Sequence, residues 1–93
     1  MSTLHLKLYI SGRTHSSERA IANLKRICEE DFSGRYVLEV IDVLEHPEVA
    51  REERIMVTPT LIKKLPTPMR AVIGDLTDKS KILLGLDLKP SDD

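Results

Sequence analysis

The chain has 93 residues, with 14 basic and 15 acidic side chains and a formal net charge of −1; this length supports one domain with a thin core, so association into a homo-oligomer, a dimer or tetramer, is expected. The charges are spread along the chain, which leaves no cationic footprint for nucleic acid and none for an anionic membrane surface. A single cysteine, Cys28, excludes an internal disulfide, a Cys-x-x-Cys redox pair and a cysteine-rich zinc site, and suits a reducing compartment.

Leu4, Leu6, Leu8 and Ile10 alternate with Thr3, His5, Lys7 and Tyr9, a period of two that predicts a strand with one buried face. His5 and Lys7 also break the continuous apolar region a signal peptide needs, and no run approaches membrane-spanning length, so the expected location is cytoplasmic. After Ser11-Gly12, apolar residues recur at Ala20, Ile21, Leu24, Ile27 and Cys28, the stripe of an amphipathic helix. Thr14, Ser16 and Ser17 offer capping hydroxyls, and Gly34 suits the exit.

Val37 to Val43 is rich in β-branched residues and almost continuously apolar, which predicts a central strand covered on both faces and completes a βαβ unit. Pro47 fits the first turn of a short acidic helix through about Arg54, since its fixed φ suits that place and its missing N–H is not needed there. Val57 to Ile62 predicts a strand entered through Pro59. Leu65-Pro66-Thr67-Pro68 must turn, because prolines cannot sit inside a ladder, and Met69 to Ile73 returns as a neighbouring strand. Thr77 is the expected cap of a last helix through Leu84.

The resulting order, βαβαββα, is that of a thioredoxin-like α/β fold, in one domain spanning residues 1–93 with a flexible tail over 89–93. The last segment carries two patterns at once. Ile82, Leu84, Leu86 and Leu88 alternate with Leu83, Gly85 and Asp87 as a strand would, and a helical Gly85 costs about 0.5 to 1 kcal/mol relative to alanine.

Thioredoxin chemistry needs a thiolate at the N-terminus of the first helix, where Gly12 to Ser17 stand here. Cys28 lies on the apolar stripe, where an inert structural role is expected; a redox protein using Cys28 alone is the alternative. Thr58-Pro59-Thr60 resembles the proline-entered strand that faces the thioredoxin active site, where the proline is cis. His5, His15 and His46 are scattered without metal-ligand spacing, so no metal and no cofactor is expected, and no catalytic constellation is present.

Leu6 to Gly12, Val40 to Leu44, Ala50 with Glu52-Glu53, Thr58 to Leu61, and Ile73-Gly74-Asp75-Leu76 through Gly85 to Leu88 together resemble the KaiB family, over nearly the whole chain. The resemblance implies a non-enzymatic regulator that binds a KaiC-like ATPase and modulates its phosphorylation cycle, in circadian or stress-related timing. It also implies two folds: an oligomeric ground state in which the last segment is a strand, and a thioredoxin-like binding state in which it is a helix. Gly85 and Asp87 match family positions that balance the two. Arg19, Lys63 and Arg70 match basic positions on or near the family's partner-contacting face, with Arg54 beside them.

Glu39 stands where cyanobacterial members usually carry lysine, a charge reversal at a contact position, and the longer acidic tail of the family is missing. Both departures imply a KaiB-like protein outside the core clock lineage. A histidine kinase acting in trans is a further partner that the resemblance implies.

Overall fold

A computed structural model describes residues 3–74 and 76–88. The elements run β1 (Leu4–Ile10), α1 (His15–Phe32), β2 (Tyr36–Asp42), α2 (Pro47–Glu52), β3 (Thr60–Leu65), β4 (Arg70–Ile73) and α3 (Lys79–Gly85), the predicted βαβαββα order. The sheet order is β2-β1-β3-β4, with β1 and β2 parallel and the other two pairs antiparallel.

Alternation in β1 sends Leu4, Leu6, Leu8 and Ile10 to one face, where Ala20, Ile21, Leu24, Ile27 and Cys28 of α1 and Ile82 and Leu83 of α3 close the main core. The opposite face holds a smaller cluster of Tyr9, Ile41 and Ile62, covered by Val49 of α2 and by Ile55. The Tyr9 side chain is fully buried and its hydroxyl has no hydrogen-bond partner among the described residues. Burial and the charges of Glu53 and Glu39 raise its pKa.

β2 is an edge strand, not the central one its apolarity suggested. Parallel pairing with β1 uses one side of β2, while β3 takes the other side of β1, so Val37 is left half exposed. β1 and β3 are the strands with neighbours on both sides and burial on both faces.

α1 starts at a full capping box: Ser17 N–H donates to Thr14 Oγ1 at 3.1 Å, and Thr14 N–H donates to Ser17 Oγ at 2.8 Å. α2 begins with Pro47 at its first position and stops at Glu52, two residues short of expectation, because Arg54 turns left-handed at φ 57°. α3 is capped by Asp78, whose carboxylate accepts from Lys81 N–H at 3.3 Å, one residue later than the expected Thr77.

The segment with two patterns is helical here through Gly85, and its end has the geometry of a Schellman cap. Leu88 N–H donates to Leu83 C=O at 2.8 Å and Asp87 N–H to Leu84 C=O at 3.1 Å, with Asp87 in the left-handed region at φ 57°. The expected tail over 89–93 and the Asp75 position of the family pattern lie outside the described residues.

Candidate protein-interaction site

The upper end of the sheet gathers the loops after β1, β2 and β4 with the entry to β3. Gly12, at φ 78°, makes the turn out of β1, and its N–H donates to Asp42 Oδ1 at 3.0 Å, while Leu44 N–H donates to the same oxygen at 2.9 Å. These bonds hold the Asp42 carboxyl below its ordinary pKa, the Gly12 bond contributing most. One side chain thus fixes two loops beside the first turn of α1.

The Thr58–Pro59 peptide bond is cis, as are Leu65–Pro66 and Thr67–Pro68. Pro59 C=O accepts from Gly74 N–H at 3.2 Å, which ties the entry of β3 to the exit of β4. Between that tie and the first turn of α1 lies an open cavity of about 500 Å³, lined by His15, Ser16, Arg19, Pro59 and Leu76 among others. Asn23 on the next turn donates its side-chain amide to Leu76 C=O, pinning the loop before α3 to α1.

No thiol reaches this cavity. Cys28 is 1 % exposed on the inner stripe of α1, and burial, with smaller contributions from Glu29 and Asp31, pushes its pKa up to about 11. His15 opens α1, His5 lies on β1 and His46 precedes α2 in an ion-pair geometry with Glu48 at 3.6 Å, so the three histidines do not meet.

The sequence-selected contact residues do not form one patch. Arg19 lies at the cavity beside Pro59, and Arg54 is exposed at the exit of α2. Glu39 is exposed on β2 in register with Lys7, where the two share a shallow pocket with His46. Arg70 is exposed at the opposite, lower end of the sheet, where it opens β4.

Lys63 departs from expectation most: it is 1 % exposed, not a solvated surface charge. It shares a face with Leu61, and the two stand opposite Leu6 and Leu8 of β1, so strand parity carries Lys63 into the main core. Hydrophobicity alone gives no hint of this. The parity with Leu61 was the available signal.

Exposed apolar side chains complete the surface. Leu44, Met56 and Val57 lie on the loops at the upper end, with Met56 90 % exposed, and Ile73 and Leu84 lie on β4 and α3.

The KaiB domain model matches residues 7–88. The chain belongs to the KaiB family. A KaiB-family relative, the circadian clock protein KaiB3 of Synechocystis sp., is 54 % identical over 90 residues, covering 97 % of this chain and 88 % of its own length. The circadian clock oscillator protein KaiB of Microcystis aeruginosa is 56 % identical over 86 residues, covering 92 % of this chain and 83 % of its own length. Among solved structures, the N-terminal domain of Synechococcus elongatus SasA superposes with a TM-score of 0.75 at 29 % identity, over 90 % of this chain and 81 % of that one. Mitochondrial thioredoxin 3 of Saccharomyces cerevisiae matches at TM-score 0.70 and 14 % identity, over 94 % of this chain and 79 % of that one. The fold of this KaiB-family chain is therefore thioredoxin-like, and its first helix begins without the cysteine pair of a thioredoxin.

Proposed function

We propose that this protein is a non-enzymatic, cytoplasmic timing regulator that binds a KaiC-type ATPase and modulates its phosphorylation cycle. The observation that carries the reading is identity above half to named clock proteins along nearly the full length of both chains. The buried, high-pKa Cys28 supports it by leaving the redox alternative without a reactive thiol.

Arg19 and Arg54 at the upper end, Glu39 on the β2 edge and Arg70 at the start of β4 are the proposed partner contacts. Such charges set encounter rate and partner choice more than affinity. Glu39, which the family resemblance sets where lysine is usual, would select a partner of matching charge. Gly85 and Asp87 are the proposed balance points between this arrangement and an oligomeric one with a strand at Ile82 to Leu88.

The test is co-purification with the cognate KaiC-type ATPase, with and without nucleotide, followed by Arg19→Glu and Glu39→Lys. Association that depends on nucleotide state and weakens in either variant is expected; no association in any nucleotide or phosphorylation state would overturn the reading. The likeness to the SasA N-terminal domain favours a second reading, in which the chain signals to a histidine kinase in trans. Capture of a kinase and not of the ATPase from the same cells would favour it.

A further inference from the structure

α1 carries a second arginine beyond Arg19. Arg19 and Arg26 are two helical turns apart, so both stand on the same side of α1, about 10.5 Å from each other along its axis. Between that side and the loop before α3 lies a cavity of about 350 Å³, lined by Arg19, Ala22, Asn23, Arg26 and Thr77. It adjoins the larger cavity beside Pro59 at Arg19 and Thr77, so the two form one groove. Among the described residues, no carboxylate lines either cavity.

Asn23 fixes the floor of the groove. Its side-chain amide donates to Leu76 C=O and its Oδ1 accepts from Arg26 Nη2, so one side chain ties the loop to α1 and orients the second guanidinium. Arg26 also meets Glu30 at 3.4 Å, an exposed i,i+4 pair of small worth, and Glu30 retains Lys79 at 3.4 Å when Arg26 turns away. Arg19 has no hydrogen-bond or ion-pair partner among the described residues. Both guanidinium groups can therefore engage a ligand at little cost.

We propose that this groove binds an extended acidic segment of a protein partner, with two carboxylates separated by two residues. A polyproline-II segment has three residues per turn and rises about 3.1 Å per residue, so residues three apart share a side and lie about 9 Å apart, within reach of both arginines. A helix, about 10–12 Å across, is too wide for the cavity. Two cations on a chain of net charge −1 do not make a track for a nucleic-acid backbone. The planar guanidinium fork matches a carboxylate, so the pair reads spacing as well as charge. The inference deepens the proposed protein-binding role and rests on it: it adds Arg26 to the contacts and names the chemistry of the bound segment. Two exposed cations select and orient a partner more than they tighten its binding.

The test is a titration of the free protein, followed by amide shifts, with the capped peptides Asp-Pro-Pro-Asp, Asp-Pro-Asp and Asn-Pro-Pro-Asn and with inorganic phosphate as a plain anion. Asp-Pro-Pro-Asp is expected to move the amides of Arg19, Asn23, Arg26 and Thr77 and to bind about threefold or more tighter than Asp-Pro-Asp, with no response to Asn-Pro-Pro-Asn. Arg19→Gln and Arg26→Gln are each expected to weaken binding about two- to fivefold. Lys25→Gln, exposed on α1 outside both cavities, is expected to weaken it by less than about 1.5-fold. All three substitutions fall on exposed side chains, and unchanged amide shifts elsewhere report that the fold is kept. No shift in these amides, equal binding of the two acidic peptides or of phosphate, or an equal loss in Lys25→Gln would overturn the inference. No ATPase enters the titration, so failure here leaves the ATPase reading to its own co-purification test.

Discussion

A Cβ built on Gly85 would lie 2.6 Å from Val72 Cγ2, so α3 reaches β4 at a distance that only a residue without a side chain permits. Two effects therefore oppose each other at this position. Alanine would add about 0.5 to 1 kcal/mol of helix preference, and the stiff valine would take back a comparable amount through crowding. A double-mutant cycle separates them: Gly85→Ala is expected to stabilise α3 fully in a Val72→Ala background and less, or not at all, beside Val72, with a coupling of at least about 0.5 kcal/mol in urea unfolding. Additive effects would mean that the helix shifts freely.

Asp87 closes α3 in a left-handed conformation that glycine adopts without cost, and it brings a negative charge to the negative end of the helix. Asp87→Gly is expected to raise the stability of this arrangement by about 0.5 to 1 kcal/mol, read as a higher urea midpoint with an unchanged slope. A lower midpoint would mean that the carboxylate makes a stabilising contact.

With its pKa raised to about 11 by burial, Cys28 is a protonated, shielded thiol at neutral pH. Its reaction with a disulfide reagent at pH 8 is expected to be slower by about a hundredfold or more than in denaturant. Native reactivity equal to that of the unfolded chain would contradict the placement of Cys28 and revive the redox alternative.

The Asp42 carboxylate has a folded-state pKa below its unfolded one, because it accepts from Gly12 and Leu44 N–H. The folded state then binds fewer protons, so the contribution of Asp42 is complete above the unfolded value, near about pH 4, and is lost as pH falls through the lower folded value. Acid titration of wild type against Asp42→Asn should show a stability gap that narrows below about pH 4, with the Gly12 and Leu44 amide resonances moving in the same range. A gap independent of pH would assign the difference to amide geometry and not to charge.

β1, α1 and the start of α2 were legible because each of their signals had one meaning. Period-two alternation placed β1, the Ala20 to Cys28 stripe placed α1, and Pro47 marked the start of α2. β2 was misplaced because the apolarity of a strand records burial by packed layers and not the number of strands beside it. Its edge position follows from β3 pairing with β1, a choice made by contacts distant in sequence. The cap of α3 moved from Thr77 to Asp78 for a related reason: both side chains are competent, and the Asn23 contact with Leu76 fixes where the helix enters.

The candidate site was less legible than the fold. Lys63 reads as a surface cation until the register sets it beside Leu6, and Arg19 and Arg70 become separate features at opposite ends of the sheet only once the strands are ordered. The close approach of Gly85 to Val72 is a distance between two elements and leaves no mark on the local pattern.

The aromatic side chains have a consequence for anyone measuring this protein in solution. Tyr9 is fully buried on β1, Tyr36 donates its hydroxyl to Glu29 at 2.9 Å, Phe32 ends α1, and there is no tryptophan. The tyrosines therefore report on β1, on the β3 residues packed and paired with Tyr9, and on the contact between α1 and β2, and no aromatic side chain lies on β4 or α3. A tyrosine emission trace would follow the sheet around β1 and leave α3 unreported, so a tryptophan placed at exposed Leu84 would give that helix a signal of its own.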